Sequence, residues 1–208
     1  MTPLITKINT LKQDTQLTDT INQTIKTFKQ YKKATNNELF SELCYCILTA
    51  NCQAQTCMNI QKTFPHSFST ATKNQIKKHL KNHHYRFPNI RSQYIIEAQP
   101  YKNKLKQILT TLDTIQRRKW FIDKIKGLGM KEASHFLRNI GYDEYAIIDI
   151  HILSTLQTYK IIEKPKTITK KKYLQIEKQL QDIAKETELS LATLDLYLWY
   201  TQTGMILK

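Results

Sequence analysis

Glycine is scarce in this chain, which has four glycines and five prolines in 208 residues. Because these residues most often end regular structure, the chain offers few places to turn. Its apolar residues recur at helical spacing, for example Ile21, Ile25 and Phe28 after an expected cap at Thr18/Asp19. Neither strand alternation nor an internal repeat is present. The sequence therefore predicts an all-α fold.

The charge of the chain is strongly positive. Lys and Arg number 32 against 17 Asp and Glu, which gives a formal net charge of +15. Such an excess favours a polyanionic partner, most simply nucleic acid, because phosphates bind these side chains with release of counterions. A charge that only keeps the protein soluble is the alternative. No run approaches the roughly 18 apolar residues of a membrane span, and the N-terminal residues lack a signal-peptide pattern. We expect a cytoplasmic, nucleoid-associated monomer without membrane contact.

The four cysteines, at positions 44, 46, 52 and 57, have the spacing C-x-C-x5-C-x4-C. Structural zinc sites usually have paired C-x2–4-C knuckles, so small buried thiols are the better interpretation. The adjacent His83 and His84 have no acid or cysteine at a suitable spacing, and we expect them at the surface. The sequence predicts no metal site.

Three of the four glycines lie between positions 127 and 141. Residues 115–125 and 130–140 predict two helices, the second ended by Gly141. Between them lies Gly127-Leu128-Gly129, where glycine permits the positive φ angles of a tight hairpin and Leu128 is expected in the core. The amides that flank Leu128 would then face outward at a helix start, where a nucleic-acid phosphate binds well. A plain connection between two helices is the alternative.

Two ionisable residues follow the hairpin. Lys131 falls in the first turn of the second helix, where the positive end of the dipole is expected to lower the pKa of the amine and make it a nucleophile. Asp149 in "AIIDIHIL" fits the N-cap of a helix that begins at Ile150, and this structural role is sufficient by itself. The hairpin, the lysine and the aspartate together favour a catalytic pair.

The residues Gly127–Lys131 and Ile148–His151 resemble the helix-hairpin-helix motif and following aspartate of the endonuclease III-like DNA glycosylases. With "TGMILK" at its end, the chain resembles more narrowly, over essentially its whole length, the type-2 (archaeal-type) 8-oxoguanine DNA glycosylase/AP lyases. The resemblance implies two helical lobes with an active-site cleft between them.

The central lobe would comprise residues 31–142, with the hairpin at about 115–141. The second lobe would combine residues 1–30 with 143–208. The wider superfamily carries a four-cysteine iron–sulfur cluster near the C-terminus, but no cysteine follows Cys57. We therefore expect no cofactor.

The resemblance also implies a mechanism on double-stranded DNA that contains 8-oxoguanine or abasic sites. The damaged nucleotide is flipped out of the duplex. Lys131 attacks C1′ of its sugar and displaces the base, while Asp149 stabilises the positive charge of the sugar and orients the amine. The resulting Schiff base permits β-elimination, which nicks the strand.

Four further positions match by the same resemblance. Asn51 would fill the hole left by the flipped base, or it is simply a helix C-cap. Phe87 would stack on the base, and Trp199 would form or support another wall; a place in the core is the alternative for both. Lys208 would distinguish 8-oxoguanine from guanine through its amine or through the chain's carboxylate.

Two other functions stay open at this point. A glycosylase/lyase for another oxidised base would keep the mechanism and change only the pocket. A non-catalytic helix-hairpin-helix DNA-binding protein would explain the charge and the glycines without the Lys131/Asp149 pair. An RNA-binding protein is disfavoured, because no RNA-module signature is present.

Overall fold

The computed structural model describes residues 1–64 and 67–208. Within these ranges it contains twelve α-helices, three short 3₁₀ helices and no strand, so the predicted all-α fold is confirmed. The α-helices are α1 (Thr2–Leu11), α2 (Thr15–Gln30), α3 (Asn36–Thr49), α4 (Ala54–Thr63), α5 (Lys73–Asn82), α6 (Pro88–Ala98), α7 (Leu105–Thr111), α8 (Thr114–Lys124), α9 (Met130–Asn139), α10 (Ile150–Thr158), α11 (Lys170–Glu186) and α12 (Leu191–Thr203). The 3₁₀ helices are Tyr31–Lys33, Ser67–Ser69 and Gln99–Tyr101.

The chain forms two compact units. The middle unit comprises Gln30–Ile140, and the terminal unit combines Met1–Lys29 with Gly141–Lys208. The middle unit is built around α3, which packs against α4, α6, α7 and α9. This helix begins with a capping box, in which the Thr35 hydroxyl accepts the Glu38 N–H and the Glu38 carboxylate accepts the Thr35 N–H.

The terminal unit has α12 at its centre. One core cluster of this unit comprises five buried residues, namely Leu17, Ile21, Phe28, Leu196 and Tyr197. The cap of α2 expected at Thr18/Asp19 is wrong. This helix begins at Thr15, and the Asp14 carboxylate accepts the Leu17 N–H at 3.0 Å. Thr18 lies inside the helix, and its hydroxyl forms a 2.9 Å hydrogen bond with the Tyr197 hydroxyl.

The hairpin that joins α8 to α9 contains one left-handed residue. Gly127 has φ +88°, and Leu128 is buried with 5% of its surface exposed, as predicted. Gly129 has φ −96° and serves as the N-cap of α9, so the expectation of positive φ holds for Gly127 alone. α9 ends as predicted, with Gly141 just beyond it at φ +92°.

Gly127 is also sterically confined. A Cβ at this position would lie 2.6 Å from Tyr94 Cδ2 and 2.9 Å from Arg91 Nη1, closer than the Cβ atoms of side chains come to other heavy atoms. The Arg91 guanidinium lies over the Tyr94 ring and donates through Nη2 to the Ala50 carbonyl at 3.1 Å. The nearly buried Arg91 therefore joins the hairpin to the end of α3.

Replacement of Gly127 tests this confinement. Gly127→Ala should lower the free energy of unfolding by about 2–5 kcal/mol, since left-handed strain costs about 1–2 kcal/mol and overpacking about 1–3 kcal/mol. Gly204→Ala is the matched control, because Gly204 has φ +67° but nothing within 4 Å of its would-be Cβ, so only the strain remains. Urea denaturation of both variants makes the comparison. Equal losses would mean that Tyr94 and Arg91 do not confine the turn.

Candidate active site

Lys131 is the second residue of α9, within the first turn as predicted. Its side chain is 27% exposed, and its Nζ lies 3.7 Å from Glu132 Oε1. The other carboxylate oxygen, Glu132 Oε2, accepts the Gly129 N–H at 3.2 Å. Glu132 therefore ties the amine to the turn before it, and it adds a negative charge that the sequence analysis did not consider.

The amides of the hairpin are only partly available to an anion. Leu128 donates its N–H to the Ile125 carbonyl at 3.3 Å, and Gly129 donates to Glu132. The Gly129 amide is therefore already occupied by an exposed hydrogen bond to Glu132. The first backbone bond of α9 is donated by Ala133 to the Gly129 carbonyl, so the three preceding helical amides, at residues 130–132, are the ones that a phosphate could use.

The loop between α3 and α4 lies in the same unit as the hairpin. Asn51 is exposed with φ +61°, a conformation that asparagine adopts more readily than most residues, and it directly follows Ala50, which Arg91 binds. This position just beyond α3 is compatible with both roles proposed for Asn51. The loop and the hairpin are thus anchored by one guanidinium.

Phe87 begins the helix that carries this guanidinium. It is the N-cap of α6, and its carbonyl accepts the Arg91 N–H at 3.1 Å. The ring is half-buried, and the Arg86 guanidinium lies 5.0 Å from its centroid. Phe87 is therefore not a fully enclosed core residue.

Asp149 lies in the terminal unit, at the N-cap of α10, as predicted. Its Oδ1 accepts the N–H groups of His151 and Ile152, each at 2.9 Å. Within the described ranges, Oδ2 has no hydrogen-bond partner. One oxygen thus performs the capping role, and the other remains available to a ligand.

The buried segment before Asp149 is held by α11. The Tyr173 hydroxyl donates to the Ala146 carbonyl at 2.7 Å and accepts the Ile148 N–H at 3.2 Å. The Glu177 carboxylate accepts the Ala146 N–H at 3.1 Å. These bonds satisfy the backbone of an extended buried segment that lacks a sheet partner, and they fix the point at which Asp149 begins α10.

Trp199 is brought close to Asp149 through α10. Its ring meets the His151 ring edge-on, with centroids 4.6 Å apart. The residue is half-buried, and its buried Nε1 has no hydrogen-bond partner in the part of the chain that the structure describes. Trp199 therefore supports the N-terminal end of α10 from α12.

Lys208 does not belong to a loose tail. After Gly204 turns the chain at the end of α12, Ile206 packs against the core cluster of the terminal unit. Lys208 is half-buried and has interactions of its own. The predicted residues thus fall into two groups, with Lys131, the hairpin, Asn51 and Phe87 in the middle unit, and Asp149, Trp199 and Lys208 in the terminal unit.

Neither a metal site nor a membrane span is found in residues 1–64 and 67–208. Among these described residues, no three His, Cys, Asp or Glu side chains lie where they could hold a metal ion together. No helix there combines the length and the apolar character that crossing a membrane needs. His83 lies against α4, with Nε2 3.1 Å from the Thr63 hydroxyl, and His84 is exposed.

Four residues that position the candidate site residues of the two units were not predicted from the sequence. Glu132 had a signal, because a Glu three positions after a helix cap is the spacing of a capping box. Arg91, Tyr173 and Glu177 had none, since each acts on a segment at least 25 residues away along the chain.

Comparisons with known proteins agree with this architecture. Residues 21–189 match the family model described as 8-oxoguanine DNA glycosylase. The chain is 45% identical to the 8-oxoguanine DNA glycosylase/AP lyase of Methanocaldococcus jannaschii, and the match covers 99% of each chain. It is 40% identical to the Korarchaeum cryptofilum protein of that name, over 85% of this chain and 86% of that one.

The solved structures give the same result. The crystal structure of the M. jannaschii enzyme in complex with a 15mer DNA containing 8-oxoguanine has a TM-score of 0.95, with 44% identity and 99% coverage of each chain. The 8-oxoguanine DNA glycosylase of Thermotoga maritima has a TM-score of 0.93, with 33% identity over the full length of both chains. The chain therefore belongs to the 8-oxoguanine DNA glycosylase family, with the helix-hairpin-helix fold that its glycines and Asp149 led us to expect.

Proposed function

We propose that the protein is a bifunctional 8-oxoguanine DNA glycosylase and AP lyase that acts as a monomer on double-stranded DNA of the nucleoid. One observation carries the bifunctional part of this proposal. Lys131 is a half-buried amine in the first turn of the helix that follows the hairpin, in a chain 45% identical to a glycosylase/AP lyase. A glycosylase that only activates water has no need of an amine here.

DNA would be held mainly through its phosphates. The net charge of +15 supplies long-range attraction, and the free amides at the start of α9 offer a phosphate site without reading a base. Extrusion of the damaged nucleotide costs a few kcal/mol in lost stacking. Asn51, exposed on the neighbouring loop, is the residue that would fill the gap.

The chemistry would proceed through a covalent intermediate. The lone pair of the Lys131 amine attacks C1′, the bond from C1′ to the base breaks, and the base leaves with the bonding electrons and takes up the proton that the amine gives up. Opening of the sugar ring gives a Schiff base between Nζ and C1′. Loss of a proton from C2′ then expels the 3′ phosphate by β-elimination, and water releases the lysine. The sequence of steps needs no metal and no nucleotide cofactor.

Asp149 would act through charge. Its Oδ2, which the helix cap leaves free, would face the positive charge that develops on the sugar as the base departs. Because Oδ1 is fixed by two backbone amides, the carboxylate needs no reorganisation when the reaction begins. Glu132 would have a different task, which is to orient Lys131 through their 3.7 Å ion pair.

The base pocket would combine stacking with one polar discriminator. Phe87 and Trp199 would present ring surface to the flipped base, and base–aromatic stacking contributes about 1–3 kcal/mol. The lesion differs from guanine in carrying an N7–H donor, so an acceptor on Lys208 aimed at this position would reject guanine. The half-buried position of Lys208 supports this role.

Replacement of the nucleophile separates catalysis from binding. Lys131→Gln should abolish borohydride trapping of the protein on 8-oxoguanine duplex, because an amide cannot form an imine, while the Kd for DNA stays nearly unchanged. Lys126→Gln is the control, since Lys126 also lies in the hairpin but pairs with Glu97 at 3.0 Å; it should keep trapping. If Lys131→Gln is still trapped on the DNA, Lys131 is not the nucleophile.

Two replacements of Asp149 separate its capping role from its catalytic role. Asp149→Asn keeps a cap acceptor but loses the charge, so the single-turnover rate of base release should fall about 100-fold or more with little change in stability. Asp149→Ala should lose the rate and also about 0.5–2 kcal/mol of folding free energy. If Asp149→Asn releases the base at the wild-type rate, Asp149 is only a cap.

Changes at Lys208 test base recognition. Deletion of Lys208 should slow 8-oxoguanine excision more than cleavage of preformed abasic sites, because only the first reaction requires the base to be read. Lys208→Ala, which removes the amine and keeps the carboxylate, identifies the group responsible. Equal losses on the two substrates would exclude a recognition role for Lys208. If the wild-type protein excised an oxidised pyrimidine faster than 8-oxoguanine, the oxidised pyrimidine would be its preferred substrate.

A further inference from the structure

The helix that Asp149 caps has one face turned to solvent. Four residues at helical spacing form this outer face of α10, namely Ile150, Ser154, Gln157 and Thr158. Ile150 is 67% exposed although it directly follows Asp149, Ser154 is half-buried, and Gln157 and Thr158 are exposed. The outer face therefore begins beside the carboxylate to which we assign a catalytic role.

The chain beyond α10 returns to this face. Lys160 lies just past the end of the helix and has φ +54°, a left-handed conformation that reverses the chain. Four residues later, the Lys164 ammonium donates to the Ser154 hydroxyl at 3.0 Å. That hydroxyl in turn donates to the Ile150 carbonyl at 2.7 Å. A cation from outside the helix is thus held on the outer face of α10.

This cation lies close to the end of the helix that Asp149 caps. Ser154 follows Ile150 by four positions, which places it about 6 Å farther along the helix axis. In the proposed reaction, the Asp149 carboxylate faces the sugar of the flipped nucleotide, and a phosphate stands on each side of that sugar. One of these phosphates would therefore come to the part of α10 on which Lys164 is held.

The segment that carries Lys164 is strongly basic. Residues 160–172 contain six lysines and one acid, Glu163. None of the six lysines forms an ion pair with the residues that the structure describes, whereas Lys178 in α11 pairs with Asp182 at 3.4 Å. Lysines without an acidic partner are the ones that gain most from a phosphate, because nothing has to be displaced except counterions.

We propose that the outer face of α10, with Lys164 held on Ser154, binds a phosphate of the DNA strand beside the flipped nucleotide. An ammonium has three N–H donors, and the Ser154 hydroxyl takes one, so two are left for phosphate oxygens. The position beside the flipped nucleotide rests on the proposed function, because it takes Asp149 to face the flipped sugar.

The experiment measures the Kd of the full-length protein for two duplexes of equal length, by fluorescence anisotropy at several salt concentrations. One duplex contains a tetrahydrofuran abasic analogue, whose sugar lacks the C1′ leaving group that Schiff-base formation needs, and the other is undamaged. Lys164→Ala removes the cation, and Ser154→Ala removes only the hydroxyl that holds it. Lys178→Ala is the matched control, because it lowers the net charge equally but removes a lysine already paired with Asp182.

Lys164→Ala should bind the abasic-analogue duplex about three- to tenfold more weakly. The slope of log K against log salt should become shallower by about 1, which is the share of one phosphate contact. Its effect on the undamaged duplex should be smaller, since no nucleotide is flipped there. Ser154→Ala should weaken binding about two- to threefold, because the lysine is no longer held in place. Lys178→Ala should keep the wild-type slope.

Equal effects of Lys164→Ala and Lys178→Ala would mean that only net charge matters, which overturns the proposal. Wild-type binding by Ser154→Ala would overturn the role of the hydroxyl, and equal weakening on the two duplexes would overturn the position beside the flipped nucleotide. If the wild-type protein binds both duplexes but releases no 8-oxoguanine, the proposed function fails, while the salt slope of Lys164→Ala still tests the phosphate contact.

Discussion

The left-handed turn at Gly127 is the constraint on which the middle unit's candidate site depends. Tyr94 and Arg91 occupy the space in which a side chain would lie, so only glycine lets the chain leave α8, bury Leu128 and begin α9 at Met130. This start places Lys131 in the first helical turn. Since Arg91 also binds the Ala50 carbonyl, the same guanidinium sets the loop that carries Asn51. The catalytic candidate Lys131 and the DNA-contact candidate Asn51 therefore both depend on the position of Arg91.

In the terminal unit, a few contacts likewise fix the position of a carboxylate. Tyr173 and Glu177 hold the buried backbone before Asp149, and the two amides at the start of α10 then fix its Oδ1. A charge held in this way is oriented before any ligand arrives, which is the condition for electrostatic stabilisation of a transition state. The capping and proposed catalytic roles of Asp149 do not compete, because they use different oxygens.

Local features of the sequence predicted much of the fold. The start of α9, its end before Gly141 and the cap at Asp149 were all correct, because each depends on neighbours along the chain. The cap of α2 was wrong because several polar residues precede Ile21, and the pattern does not rank Asp14 above Thr18. The occupation of the Gly129 amide by Glu132 was not predicted, although the spacing of the two residues is that of a capping box. Arg91, Tyr173 and Glu177 could not be predicted, since their partners are distant in sequence. The catalytic roles came from family resemblance, and they stay predictions.

The most direct measurement is the identity of the amine that bonds to DNA. The protein is incubated with duplex containing 8-oxoguanine, the Schiff base is reduced with borohydride, and the digested adduct is mapped by tandem mass spectrometry. The account predicts a sugar remnant on Nζ of Lys131 and on no other residue. An adduct on a different lysine or on the N-terminal amine would contradict it, whatever the rate of base release.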